Sequence, residues 1–264
     1  IAKAQGIAEA FVAARQKACG FDSYPGEVPG DLEQAYAIQD AAIALRGAAP
    51  VGWKVGRINP PWLERLGVNR LAGPIFASHV QNGQADSPAT GQIYRNGFGA
   101  AEAEFLFRIS RTPEAGKTSL TLSEAADLID AVFIGIEVAS SPFPGINALG
   151  PLVTISDFGN NNGLIAGEEI PDWRESGLEG WTVESFIDGQ SVGEGQANAF
   201  TDGPLGSVQF LLENLIARGI AITPGLLIST GAVSGVHEIS DGQHFEARFG
   251  DFGRIECTIK YATA

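Results

Sequence analysis

Apolar positions in the first fifty residues recur at helical spacing. Ile7, Phe11 and Val12 share one face of a first segment, and Leu32, Tyr36, Gln39 and Ile43 run along a second. Asp31 is placed to cap the second helix with Gln34 three residues on, and Gly47 to stop it; Pro25, Gly26, Pro29 and Gly30 mark the loop between them. From residue 51 the pattern changes to short apolar runs divided by glycine and proline. It predicts strands at about 131–138, 163–166, 181–188, 226–230, 244–249 and 254–260, with helices at about 60–66, 123–129 and 205–218. In the first of these helices Asn59 is expected to cap, Pro60 to take the first helical position and Gly67 to end it. Helices do not follow every strand, so the pattern favours a mixed β architecture over repeated βαβ units. The expected division is a helical extension over 1–50 packed on a β-rich domain over 51–264.

Two apolar runs with strand character contain acids. Ala101-Glu102-Ala103-Glu104-Phe105-Leu106-Phe107 alternates so that Glu102 and Glu104 face the same way, and Ala131–Val138 carries Glu137. Acids in such runs are seldom buried without a counter-charge. Either all three converge on a cation, for which all-oxygen ligation suits Mg²⁺ or Mn²⁺, or they lie on a solvated strand face.

The chain has 264 residues, 44% of them apolar, enough for a sizeable core in one large domain. A formal charge of −14 argues against nucleic acid as a partner, because the Lys/Arg surplus that neutralises phosphates is absent. It also opposes attraction of an anionic substrate unless a metal and local basic groups reverse the field inside the site. No apolar run is long enough to span a membrane, and Ile1–Gly6 has no signal-peptide character, so a cytoplasmic location with no membrane partner is expected. Cys19 and Cys257 make neither a disulfide framework nor a zinc set and are expected to be buried free thiols. No phosphate-binding glycine loop and no acyl-transfer triad is evident.

Lys54 stands between Gly52 and Gly56 in an apolar strand, where it either acts on a ligand or snorkels to the surface. Asn160, Asn161 and Asn162 read equally as a turn or as amides for a ligand. Ser229-Thr230-Gly231 closes a strand.

Gly52-Trp53-Lys54-Val55-Gly56, Leu66-Gly67-Val68, Gly73-Pro74-Ile75-Phe76-Ala77, the Glu-Ala-Glu run, Thr230-Gly231-Ala232 and Phe249-Gly250-Asp251-Phe252-Gly253 follow one another in an order that resembles the 2-keto-4-pentenoate hydratase and 4-oxalocrotonate decarboxylase branch of the fumarylacetoacetate hydrolase family. The likeness covers roughly residues 30–260. It implies an α+β fold, a mixed β-roll or distorted β-sandwich with a small helical amino-terminal region. It implies a divalent ion held by Glu102, Glu104 and Glu137, Lys54 as a catalytic group, and Asn160, Asn161, Asn162 and Thr230 beside the substrate.

The implied reaction is that of a metal-dependent lyase. A small 2-oxo or 2-hydroxydienoic acid would chelate the ion and pass through an enolate, with hydration first, decarboxylation second, and a non-catalytic oxo-acid-binding or partner subunit as the alternative. A homo-oligomer is expected, with a pathway enzyme as an optional further partner. One departure stands out: where many members of the branch have aspartate, this chain has Ser78, followed by His79. Ser78 is therefore the expected site of water handling, although a hydroxyl cannot serve as a base near neutral pH; His79 is expected on the opposite face of a strand.

Overall fold

The amino-terminal helices form where the apolar spacing puts them, as α1 (Ala2–Gln16) and α2 (Leu32–Arg46). In the computed structural model, which describes residues 2–83 and 89–264, Asp31 caps α2 by accepting from the Gln34 amide at 2.8 Å. The Gln34 side chain returns one residue further back, to the Gly30 amide. Gly47 ends α2 with φ 67°, the left-handed region glycine enters without penalty. Ile7, Phe11 and Ile38 pack with Phe76, Phe143 and Phe158, so both helices are clamped to the β-rich part by a shared apolar cluster.

The next elements are β1 (Gly52–Arg57), α3 (Trp62–Leu66), β2 (Arg70–Ile75), β3 (Val80–Asn82), β4 (Ala89–Ile93), β5 (Phe98–Ile109), α4 (Leu122–Asp127), β6 (Ile129–Ser141), α5 (Pro151–Ser156) and β7 (Asn161–Glu169). They are followed by β8 (Val183–Ile187), β9 (Gln190–Gly195), α6 (Gly203–Ala217), β10 (Leu227–Ser229), β11 (His237–Glu238), β12 (His244–Phe249) and β13 (Gly253–Tyr261). One mixed sheet runs β2-β1-β10-β5-β6-β7-β3, with β11 also on β5; the other runs β4-β13-β12-β8-β9. The architecture is mixed α+β, as expected. Trp53, Phe105 and Phe107 of the first sheet meet Phe245 and Phe249 of the second, and Val208, Leu211 and Leu215 of α6 close the same core. Each such side chain contributes about 1.5–3 kcal/mol on full burial.

Several local expectations shift. α3 begins after Pro61 instead of Pro60, and Asn59 contributes only its carbonyl, to the Leu63 amide at 3.1 Å. Ala77–His79 is a 3-10 turn closed by the His79 amide on the Phe76 carbonyl, so the strand alternation expected for Ser78 and His79 does not apply. Cys257 is buried on β13, where burial pushes its thiol up to about 12, but Cys19 is exposed, contrary to expectation. Among the described residues no helix is long and apolar enough to cross a membrane.

Candidate metal and substrate site

The pairing of β5 with β6 sets Glu102 directly opposite Glu137, with Glu104 two residues along the same face opposite Gly135. Like charges opposed across strands repel, and all three glutamates are buried. One carboxylate oxygen from each lies within 4.8 Å of the others. In the ion-free chain burial and the neighbouring Glu137 charge raise Glu102 to about 7; burial and both neighbours raise Glu104 well above the ordinary carboxylate range.

Donors fix one oxygen of two of these groups and leave the other free. Glu104 Oε2 accepts from the Ser229 hydroxyl and, at 3.0 Å, from the Gly231 amide, whereas its buried Oε1 has no partner. Glu137 Oε1 accepts from Asn161 Nδ2 at 3.1 Å and faces Lys54 Nζ at 3.1 Å, whereas its buried Oε2 has no partner. Two oriented oxygens and the third carboxylate thus share one small volume. Lys54 compensates one of the three negative charges, so two remain, the charge of one divalent ion. Burial alone depresses the lysine pKa; the charges of Glu137, Glu102 and Glu104 outweigh it and hold Lys54 raised, firmly protonated. The residues present therefore fit a hard divalent cation.

Backbone space lets the lysine reach that position. Lys54 on β1 is paired with Gly73 on β2, and a Cβ at Gly73 would stand 2.2 Å from the Phe158 carbonyl oxygen. The close approach brings the segment Phe158-Gly159-Asn160 against the lysine stem. All three residues have positive φ, 53°, 62° and 66°, and for Phe158 this is a strained conformation worth roughly 1–3 kcal/mol. A buried ion pair secures the strained segment: Asp157 accepts from Arg15 Nε at 2.7 Å and Nη2 at 2.9 Å, and from Ser141 Oγ at 2.6 Å.

The asparagines expected beside the substrate have separate places. Asn160 lines the cavity with its buried Oδ1 unpartnered, Asn161 supports Glu137, and Asn162 bonds Arg15, Tyr94 and the Gln92 carbonyl at the base of α1. Thr230 lines the cavity too, but its hydroxyl donates back to the Phe105 carbonyl at 2.8 Å. Ser78 is exposed, accepts from Arg46 Nη2 at 2.9 Å and lies outside the lining. The 3-10 turn places its hydroxyl beside Arg46 of α2. His79 is likewise outside the lining; burial, with the charges of Arg46 and Arg15, lowers its pKa to about 4.

The cavity holds about 770 Å³, and Lys54, Glu102 and Asn160 share it with Arg57, Arg70 and Phe200. Sequence reasoning passed over Ser229, Gly231, Arg15, Arg57 and Arg70. For Ser229 and Gly231 a signal existed, the polar close of a strand otherwise apolar; for the arginines there was none beyond their charge.

No family model matches the chain. Among solved structures it is similar to 4-oxalocrotonate decarboxylase from Pseudomonas putida G7, complexed with magnesium and adipate, with a TM-score of 0.81 at 20% identity over 99% of this chain and 98% of that one. Fumarylpyruvate hydrolase from Pseudomonas aeruginosa, in complex with Mn²⁺ and pyruvate, gives 0.56 at 14% over 80% and 89%. A yeast fumarylacetoacetate hydrolase family protein gives 0.55 at 16% over 80% and 93%. The fold is that of fumarylacetoacetate hydrolase family proteins.

Proposed function

We propose that this chain is a divalent-metal-dependent lyase of small 2-oxo acids, a decarboxylase in its first reading. The observation that carries the proposal is the buried three-carboxylate cluster with two unpartnered oxygens and one protonated lysine, of which Glu102 and Lys54 line the cavity. Glu102, Glu104 and Glu137 would hold Mg²⁺ or Mn²⁺, and the ion would supply a Lewis acid that draws electron density from a 2-oxo group.

Lys54 then has two tasks that suit an ammonium group: it neutralises a substrate carboxylate, and it returns a proton to carbon. When CO₂ leaves, the bond from carbon to the carboxylate breaks, its electron pair enters the conjugated 2-oxo system, and the carbon takes one proton, which Lys54 would give. Water restores the lysine. Asn160 Oδ1, which needs a donor, orients either a substrate hydroxyl or a water.

Hydration stands second, reversing the order expected from sequence. It needs a base for water, Ser78 lies outside the cavity, and no histidine is among its described lining residues. The unpartnered amide oxygen of Asn160 keeps that reading open, since it can hold a water. The likeness to a decarboxylase of the same fold supports the order chosen.

The test is turnover of a conjugated 2-oxo dicarboxylic acid, followed as CO₂ release, beside hydration of a 2-hydroxydienoate, each with Mg²⁺ and with Mn²⁺. Lys54→Ala should lower turnover by about 10²–10⁴-fold without weakening the ion. Absence of turnover on both compounds, or a Lys54→Ala variant at the wild-type rate, would refute the proposal.

A further inference from the structure

Arg15 lies in the last turn of α1 and is only 6% exposed, buried where that helix meets the β-rich part. A guanidinium carries five N–H donors in one plane, and here there is an acceptor for each. Nε and Nη2 donate to the two oxygens of Asp157 at 2.7 and 2.9 Å, and Nη2 donates also to the Ser140 carbonyl at 3.2 Å. Nη1 donates to the Asn161 carbonyl and to Asn162 Oδ1, both at 3.1 Å. The pair with Asp157 is neutral as a unit, so whatever Arg15 does for its surroundings it does through geometry and not by adding charge.

These acceptors belong to the segments that flank Glu137. Ser140 lies three residues beyond it on β6, and Asn161 and Asn162 open β7, the neighbouring strand. Between the two strands the register steps: Val138 faces Gly163, whereas Ala139 faces Asn161, so Asn162 is an extra residue and the ladder bulges there. A bulge re-aims side chains. Asn161 Nδ2 reaches Glu137 Oε1 at 3.1 Å, while Asn162 Oδ1 meets Arg15 and accepts from the Tyr94 hydroxyl at 2.9 Å. Without the extra residue the register would slip by one and the side chains at this end of β7 would change face. Arg15 bonds both residues of the bulge and the strand opposite, an arrangement that keeps the extra residue out of the ladder.

We propose that Arg15 is a positioning residue for the metal site: from α1 it holds the bulge that aims Asn161 at Glu137 and thereby orients that carboxylate for the ion. The inference rests on the reading of Glu102, Glu104 and Glu137 as ligands of one divalent ion. It makes the amino-terminal helix a working part of the site and not only an extension packed on it. Partners that orient a metal ligand are worth about 10–100-fold in metal affinity, and Arg15 acts one step behind such a partner.

Calorimetric titration of the ion-free protein with Mn²⁺, well below the unfolding temperature, measures the effect without recourse to turnover. Arg15→Lys keeps a positive charge for Asp157 but offers three donors on a point charge in place of five in a plane, so it cannot serve both strands at once. Its Kd should rise about 10–100-fold. Ile7→Ala, on the same helix and in its apolar contact with the β-rich part, should lower the Tm and leave the Kd as in wild type. Asn161→Ala removes the link itself; its Kd should rise, and adding Arg15→Lys to it should weaken the ion far less than Arg15→Lys does alone. If Arg15→Lys does not fold, Asn162→Ala decides in its place, since it releases Nη1 without removing a charge and should also raise the Kd. A wild-type Kd in the deciding variant or in Asn161→Ala, additive losses in the double variant, or an equal loss in Ile7→Ala overturns the positioning role and leaves the metal reading standing. If wild type itself takes up no Mn²⁺, the metal reading falls, and this inference with it.

Discussion

Replacing Glu104 by glutamine separates metal binding from folding, because the structure assigns different work to the two oxygens. Oε2 accepts from Ser229 and Gly231, and a glutamine oxygen can do the same. The amide nitrogen then occupies the position of Oε1, where it cannot ligate an ion but can donate to Glu102 or Glu137. In the ion-free chain burial and the neighbouring Glu137 and Glu102 charges already favour the neutral acid at Glu104, which glutamine imitates, so the variant should melt at the wild-type temperature or above it.

In the presence of metal the order reverses. Loss of a group that merely orients a ligand costs 10–100-fold in affinity, so loss of a ligand should cost at least about 100-fold. At an ion concentration of about 100 times the wild-type Kd, the ion stabilises wild type by about 2.7 kcal/mol and the variant by only about 0.4 kcal/mol. For a chain of this size the difference corresponds to about 5–9 °C of metal-induced Tm shift. Differential scanning fluorimetry with and without Mg²⁺ or Mn²⁺ reads it directly. A variant that keeps the full metal-induced shift would refute the assignment of Glu104 as a ligand; one that melts far below wild type without metal would refute the account of its oxygens.

Two further predictions concern the frame around the site. Asp157→Asn strands the buried Arg15 guanidinium and should cost about 3–5 kcal/mol, seen as a lower urea midpoint; a loss below about 1 kcal/mol would mean that the pair does not secure the segment carrying Asn160. His79, lowered to about 4 in the folded chain by burial and by the charges of Arg46 and Arg15, binds fewer protons there than in the unfolded chain. Its contribution to stability is therefore complete above about pH 6.5 and is lost as pH falls towards 4; the decline in Tm over that window should be shallower in His79→Gln, and an identical slope would refute it.

The sequence made the three glutamates visible because acids in apolar, alternating strands conflict with burial, and Lys54 because glycines flank it. Both signals are local. Ser229 and Gly231 could not be read in the same way: their role depends on β10 lying against β5, a pairing between segments more than a hundred residues apart. The asparagine run shows the limit of a motif as a unit, since a left-handed turn at Asn160 and the start of β7 at Asn161 send three identical side chains to three different surroundings, the cavity, Glu137 and Arg15. Ser78 shows a related limit: strand alternation was expected through it and His79, but the short turn from Ala77 to His79 puts it at the outer surface beside Arg46. Direction is what the sequence could not supply.

Strand register links the two parts of the cavity. At one place it opposes Glu102 to Glu137, and at another Arg57 to Arg70, two like-charge pairs of opposite sign on strands of one sheet. Either pair alone lowers stability, and the core formed by Trp53, Phe105, Phe107 and their neighbours is large enough to carry both. A folded chain that retains such pairs has a field inside it that its net charge does not describe: a negative pole at the three glutamates and a positive one at Arg57 and Arg70. Under the proposed function, the overall charge of −14 would repel an anionic substrate mainly over the surface, where salt screens it, whereas the field of buried groups acts inside a cavity that screens far less.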